Sequence, residues 1–134
     1  MRPDNRKEAF RWLAQAEEEI KDVEFLMNAK RYYLSLFLCQ QSAEKALKAY
    51  IYFKEEEHLH THSVSDLIKL ASEIDSDFSS IKSAKRLDDY YIPTRYPNGL
   101  PGDIPAKYYD DPEEVKRALN LSKEIIKLVK SKIH

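Results

Sequence analysis

The sequence predicts an all-α fold: an up-and-down bundle of four long helices, with one short helix and a long Pro-rich loop before the last helix. Three observations predict it. Apolar residues recur every three to four positions over long stretches, strand-like alternation is missing, and residues 92–111 hold four of the 6 prolines and both glycines. At 134 residues the chain is long enough to bury a core without staples, and it is expected to form a single domain over residues 1–134.

The first helix is expected over residues 5–29. Asn5 followed by Glu8 has capping-box spacing, and Ala9, Leu13, Ala16, Ile20, Val23 and Met27 then recur at helical period beside Trp12 and Leu26. Its outer face, with Glu8, Glu17, Glu18, Glu19, Asp22 and Glu24, reads as a solvated acidic surface. The short link through Asn28, Ala29 and Lys30 sends the second helix back antiparallel.

That second helix, Tyr32 to Lys54, is the element around which the bundle is expected to form. It holds no Gly or Pro and is apolar around most of its circumference in its first half, which suits a central helix. Tyr33, Leu36, Phe37, Gln40, Glu44, Leu47 and Ile51 form one stripe. Ser35, Cys39, Ser42, Ala46, Ala49 and Phe53 form a second stripe of mostly small residues, against which another helix can approach closely. Gln41, Lys45, Lys48 and Tyr52 make the face expected to meet water. Gln40 and Glu44 stand on the stripe that looks most buried, and an ionised carboxylate there needs a partner. Either Glu44 pairs with Lys48 one turn on, or it belongs to a site.

EEEHLHTHS after Lys54 reads as a loop. Ser63 with Asp66 caps a third helix whose apolar side is Val64, Leu67, Ile68, Ala71 and Ile74. After DSDFSS, the residues Phe78, Ile81, Ala84, Leu87 or Asp88, and Tyr91 suggest a weaker fourth helix that ends before Pro93. Residues 92–111 then form a loop of about 19 residues, and loops of that length are usually functional or disordered. Ile92, Tyr96, Leu100 and Ile104 are its expected hydrophobic anchors. No regular element is expected within it. Asp111 caps the last helix, with Pro112 at its first position and Glu113 and Glu114 in its first turn.

Composition narrows the function classes. Charged residues make up 34% of the chain, above the usual figure of about 25%. The net charge is only -1, so any grip on nucleic acid must be local rather than a property of the whole surface. The single cysteine, Cys39, excludes an intrachain disulfide and suits a reducing compartment. No window approaches the apolar length of a membrane span, and a soluble cytoplasmic protein is expected, without membrane contact.

Four stretches carry a resemblance when taken in order. They are the first helix with Trp12 and Leu13, the QQSAEKALKA core from Gln40 to Ala49, THSVSDLIKL from Thr61 to Leu70, and YIPTRYPN from Tyr91 to Asn98. Together they resemble the HEPN domain family over nearly the whole chain. The resemblance implies a helical bundle, frequent homodimers, nucleotide- or RNA-related function, and in many prokaryotic members a nucleotidyltransferase partner, often as toxin and antitoxin. Its ribonucleases share an Arg followed after four to six residues by a His. There the His moves a proton at the ribose 2'-hydroxyl or leaving oxygen and the Arg stabilises phosphate charge, without metal. Arg95 matches the arginine. Leu100, Pro101 and Gly102 stand where the histidine belongs, which counts against nuclease chemistry of the usual kind.

The candidate nucleotide- or phosphate-binding residues are therefore Arg95, Tyr96, Tyr91, Gln40, Glu44 and His62. A guanidinium on a Pro-stiffened loop can hold a phosphate bidentately, and Tyr91 and Tyr96 can stack on a base. The competing structural reading has Arg95 paired with Glu44 or another acid, pinning the loop. His58, His60 and His62 alternate in HLHTH, but no Cys and no suitably spaced acid completes a zinc tetrahedron, so no metal and no cofactor is expected. A displaced His62 approaching Arg95 would restore acid/base capacity. Three functions compete: a nucleotide- or RNA-binding module working with a nucleotidyltransferase partner, a metal-independent ribonuclease with a displaced acid/base residue, and a structural dimerisation module using a Phe25 or Phe53 surface. Tyr108 and Tyr109 are candidate acceptors if such a partner transfers a nucleotide onto tyrosine. A homodimer is expected because Phe25, Tyr32 and Tyr52 fall off the core stripes.

Overall fold

Helix α2 runs through the middle of the molecule and touches every other α-helix in the computed structural model, which describes residues 3–54 and 59–134. Around α2 (Tyr32–Lys54) lie α1 (Pro3–Asn28), α3 (Val64–Ile74), a 3-10 segment (Ser76–Tyr90), the short α4 (Pro105–Tyr108) and α5 (Pro112–Lys132). No strand occurs among the described residues, and the fold is the all-α bundle the periodicity predicts.

The small-residue stripe explains why α2 is central. Ser42 Oγ donates to the Ala16 carbonyl of α1 at 2.8 Å, and Ser122 Oγ of α5 donates to the Cys39 carbonyl at 3.1 Å. Both hydroxyls are fully buried, so hydrogen bonds here replace the bulk that would hold the helices apart. Cys39 is buried as well, and burial pushes its thiol up to about 12. Leu36, Leu47 and Ile51 are sealed on the same helix, each contributing roughly 1.5–3 kcal/mol of burial free energy.

The α1–α2 link closes on Lys30, which adopts a left-handed φ of 61°. Its N–H donates to the Met27 carbonyl at 3.0 Å while the Arg31 N–H donates to Leu26 at 2.8 Å, so the last turn of α1 loses no acceptor. Helix α1 starts at Pro3 rather than at Asn5. Glu8 therefore acts inside the helix instead of in a capping box, accepting from Arg11 at 2.8 Å and from Trp12 Nε1 at 3.2 Å.

The fourth element is a helix of a different kind from the one expected. Phe78, Ile81, Ala84 and Leu87 are all buried and three residues apart. A 3-10 helix has three residues per turn, so this column points one way along its length; an α-helix would bring Phe78 and Leu87 to opposite faces. Ile81, at φ −108° and ψ 21°, kinks the segment.

The Pro-rich stretch also departs from expectation. It contains a 3-10 turn at Pro97–Gly99 and the α4 turn, each opened by a proline at its start, as α5 is by Pro112. The buried residues tying it down are Thr94, Pro105 and Tyr109; Ile92, Tyr96 and Ile104 are exposed and Leu100 is half-buried. At Gly99 a Cβ would crowd Pro93 Cα at 3.2 Å, and Gly102 holds a left-handed φ of 97° that favours glycine.

Surface expectations for α2 and the aromatics need correction too. Lys48 is buried rather than wet, because Glu44 pairs with it. Phe53 is buried, and Tyr52 is half-buried with its ring 5.6 Å from that of Trp12. Tyr32 packs against the core. Only Phe25 of the expected self-association residues stands well out, at 74% exposure.

Candidate functional site

The site begins with a buried ion pair. Lys48 Nζ lies 3.1 Å from Glu44 Oε2, with both side chains almost fully covered, and the ammonium also sits 5.6 Å from the Trp12 ring centroid. The same Glu44 oxygen lies 3.2 Å from Nδ1 of His62, the residue just before the α3 cap. A carboxylate only accepts, so the contact places a proton on Nδ1 and leaves Nε2 open. The His62 side chain is 57% exposed, which makes the Lys48–Glu44–His62 chain a line from core to surface.

Gln40 holds the neighbouring backbone in register. Its Nε2 donates to the His62 carbonyl at 2.8 Å and to Asp88 Oδ1 at 3.3 Å, and its Oε1 accepts from Gln41 at 2.7 Å. Asp88 in turn accepts from the backbone N–H groups of Val64 at 2.7 Å and Ser65 at 2.9 Å and from Ser63 Oγ at 3.0 Å. Its negative charge meets the positive end of α3, where orphan N–H groups need acceptors. One buried amide and one carboxylate thus lock α2, α3 and the 3-10 segment together below the site.

Above this lock, aromatic rings surround a guanidinium. Arg95 Cζ lies 4.5 Å from the Tyr91 centroid, 4.7 Å from Phe37 and 5.1 Å from Tyr96. Its Nε donates to the Tyr91 carbonyl at 2.7 Å, so the arginine is oriented by its own turn. Tyr91 also stacks on His62, with centroids 5.6 Å apart and planes at 17°. No carboxylate pairs with Arg95 among the described residues, so the acid that was to pin the loop is absent and rings hold the arginine instead. Beside it, Thr61, His62, Ser63, Asp88, Asp89, Tyr91, Ile92 and Pro93 line an open cleft of about 630 Å³.

The six sequence-chosen residues fall into one neighbourhood, in two layers. Gln40 and Glu44 are the buried support, while His62, Tyr91, Arg95 and Tyr96 face outward. Sequence reasoning names Lys48 as a partner for Glu44, which the structure bears out, but it missed Asp88 and Phe37. Phe37 lies one turn before Gln40 on the same stripe, and that stripe was the available signal for it. Asp88 carries no such signal, because its partners are 24 residues or so away in the chain.

The HEPN domain model matches residues 9–132. The chain belongs to the HEPN family. Two solved structures support this. TT1696 from Thermus thermophilus is 33% identical at a TM-score of 0.83, with 92% of this chain and 97% of that one covered. ST0689, described as an archaeal HEPN homologue, is 28% identical at a TM-score of 0.76, with 94% and 98% covered. No match was found among curated proteins.

Within this HEPN domain, Leu100, Pro101 and Gly102 lie on the far side of the Pro97–Gly99 turn and offer no ionisable group to Arg95. The histidine that does reach the neighbourhood is His62. Of its loop companions, His58 lies outside the described residues and His60 is exposed; no group of three or more His, Cys, Asp or Glu side chains fit to hold a metal occurs among the described residues. Tyr109 is buried and its phenol is pushed up to about 12 by that burial and by Glu114, which makes it a poor acceptor for group transfer; Tyr108 is half-exposed. Among the described residues no helix is long and apolar enough to cross a membrane.

Proposed function

We propose that this HEPN domain is a nucleotide- or RNA-binding module whose anion contact is Arg95. The observation that carries the reading is an outward guanidinium held by Phe37, Tyr91 and Tyr96 and matched to no acid among the described residues. Ring contacts leave its terminal N–H groups available to a phosphate in the planar, bidentate manner arginine favours. Tyr96 and Tyr91 add faces on which a base can stack. From the family resemblance, the module acts with a nucleotidyltransferase partner in a toxin–antitoxin-like pair and as a homodimer.

The test is a thermal-shift and calorimetric screen of mono- and dinucleotides on the wild type and on Arg95→Ala. Binding to the wild type that weakens about tenfold or more in the variant is expected, from the loss of charge-assisted hydrogen bonds. Equal affinity in the two proteins would sink the reading.

A second reading, metal-independent RNA cleavage, is favoured by the Glu44–His62 contact at 3.2 Å. His62 Nε2 accepts the proton of a ribose 2'-hydroxyl as that oxygen attacks phosphorus and returns it to the departing 5'-oxygen, leaving a cyclic phosphate and a free 5'-hydroxyl. Cleavage in the presence of a chelator, lost in both His62→Ala and Arg95→Ala, is its expected result. Activity that survives His62→Ala would remove it.

A further inference from the structure

A second cleft adjoins the first. It measures about 260 Å³ and is lined by Arg86, Asp89 and Tyr90 from the end of the 3-10 segment and by Glu114, Arg117, Ala118 and Leu121 from α5. Asp89 lines both clefts and is the wall between them. With three residues per turn, Arg86 and Asp89 lie in one column of the 3-10 segment, and this column turns towards α5 while Leu87 fills the core.

Arg86 and Arg117 are both exposed, and neither forms an ion pair among the described residues. The two acids present are differently occupied. Glu114 accepts from the Tyr90 hydroxyl at 2.7 Å, and burial together with that contact pushes the Tyr90 phenol upward, keeping it a donor. Asp89 is exposed and, among the described residues, unpaired. Two guanidiniums with ten N–H donors between them therefore border a polar hollow floored by Ala118 and Leu121.

We infer that Arg86 and Arg117 form a second anion subsite that adjoins, at Asp89, the cleft beside Arg95, so that the ligand of this face carries at least two phosphate groups along one chain. The inference rests on the anion-binding reading of Arg95 and extends it. Phe37, Tyr91 and Tyr96 cluster at the Arg95 end, while the ring in the second cleft, Tyr90, is tied through its hydroxyl to Glu114, so the second subsite contributes charge rather than stacking. Asp89, between the two, opposes an anion passing from one cleft to the other. Its carboxylate lowers affinity for any ligand that spans both.

The experiment measures three probes, a nucleoside monophosphate, a nucleoside triphosphate and a labelled single-stranded pentanucleotide, against wild type, Arg86→Ala/Arg117→Ala, Asp89→Asn and Arg95→Ala. The substituted side chains are exposed, and circular dichroism checks that the helices are kept. The double variant is expected to bind the pentanucleotide or the triphosphate about tenfold more weakly while the monophosphate is unchanged, and Asp89→Asn is expected to tighten the same probe. A pentanucleotide-only effect assigns the second group to an oligonucleotide, with the slope of log affinity against log salt shallower by about 0.7 per lost phosphate. A triphosphate-only effect assigns it to a nucleoside polyphosphate. Unchanged binding of all three probes in the double variant, with Arg95→Ala still weakened, overturns the second subsite and leaves the first. No loss in Arg95→Ala overturns the reading beneath it, and with it the joined track.

Discussion

The middle of α2 and the crossing stretch from Tyr91 to Asp111 meet at the same site but are held by opposite means. In α2, polar groups are buried and bonded: Ser42 and Gln40 are each matched, and Glu44 closes on Lys48. In the crossing stretch, Tyr91, Tyr96 and Tyr108 stay partly outside and only Thr94, Pro105 and Tyr109 are buried. Arg95 is held by rings in the outer layer, while the layer below it is fixed by buried hydrogen bonds. Rigidity therefore belongs to the helix, and contact with solvent belongs to the loop.

The sharpest way to break this contrast is Lys48→Met. It strands the Glu44 carboxylate without its ammonium, and a loss of about 3–5 kcal/mol in urea unfolding is expected. The double variant Glu44→Gln/Lys48→Met is expected to recover most of that loss, because no charge is left buried. A single variant as stable as wild type would mean that the pair is not sealed.

In the crossing stretch the matching change is Thr94→Val. The hydroxyl donates to the Tyr90 carbonyl from a buried position, and its removal at constant shape is expected to cost about 1 kcal/mol in urea unfolding. Nucleotide affinity should suffer with it, because this bond fixes the turn that carries Arg95. Lost stability with full affinity would separate the loop from the site.

Tyr50→Phe tests the one place where α2 breaks its own rule. The Tyr50 hydroxyl is the one buried side-chain polar atom without a partner among the described residues. Removing it is expected to leave stability unchanged or raise it by up to about 1 kcal/mol in thermal unfolding. A clear loss would point to a hidden water or bond.

The smallest effect lies at the other end of the bundle, where Lys132 meets Asp75 at 2.9 Å. The hydrogen bond from Lys132, helped by the Asp77 backbone, holds the Asp75 carboxyl below its ordinary 3.8. A depressed folded-state value means that this contribution is present above pH 3.8 and is lost as pH falls through the lower folded value. Urea midpoints taken through that acid range should fall less steeply in Lys132→Met than in wild type.

Much of the scaffold was readable because it is local. Ser63 Oγ accepts from the Asp66 N–H at 3.1 Å and Asp111 accepts from Glu113 at 2.9 Å, both as the cap spacings predict. The burial of Gln40 and Glu44 followed from their stripe. The exposure of Lys48 is misjudged because its place on the wheel looks wet, whereas the α1–α2 hairpin brings the Trp12 ring to 5.6 Å from its ammonium and Glu44 pairs with it one turn back on the same helix. The choice between Leu87 and Asp88 as the inward residue could not be made at helical period. Strict spacing by threes from Phe78 selects Leu87 and frees Asp88 to cap α3, but that reading requires recognising a 3-10 helix. The meeting of His62, Tyr91 and Arg95 has no local signature at all, since Tyr91 lies far along the chain from His62.

Cys39 gives the molecule a clock. Its side chain is fully covered on the central helix, with the thiol pushed up to about 12, so an alkylating reagent reaches a thiolate only when the packing around α2 opens. With a single thiol per chain, each modified molecule records one opening of the bundle's centre. Movements of the outer loop leave that record blank.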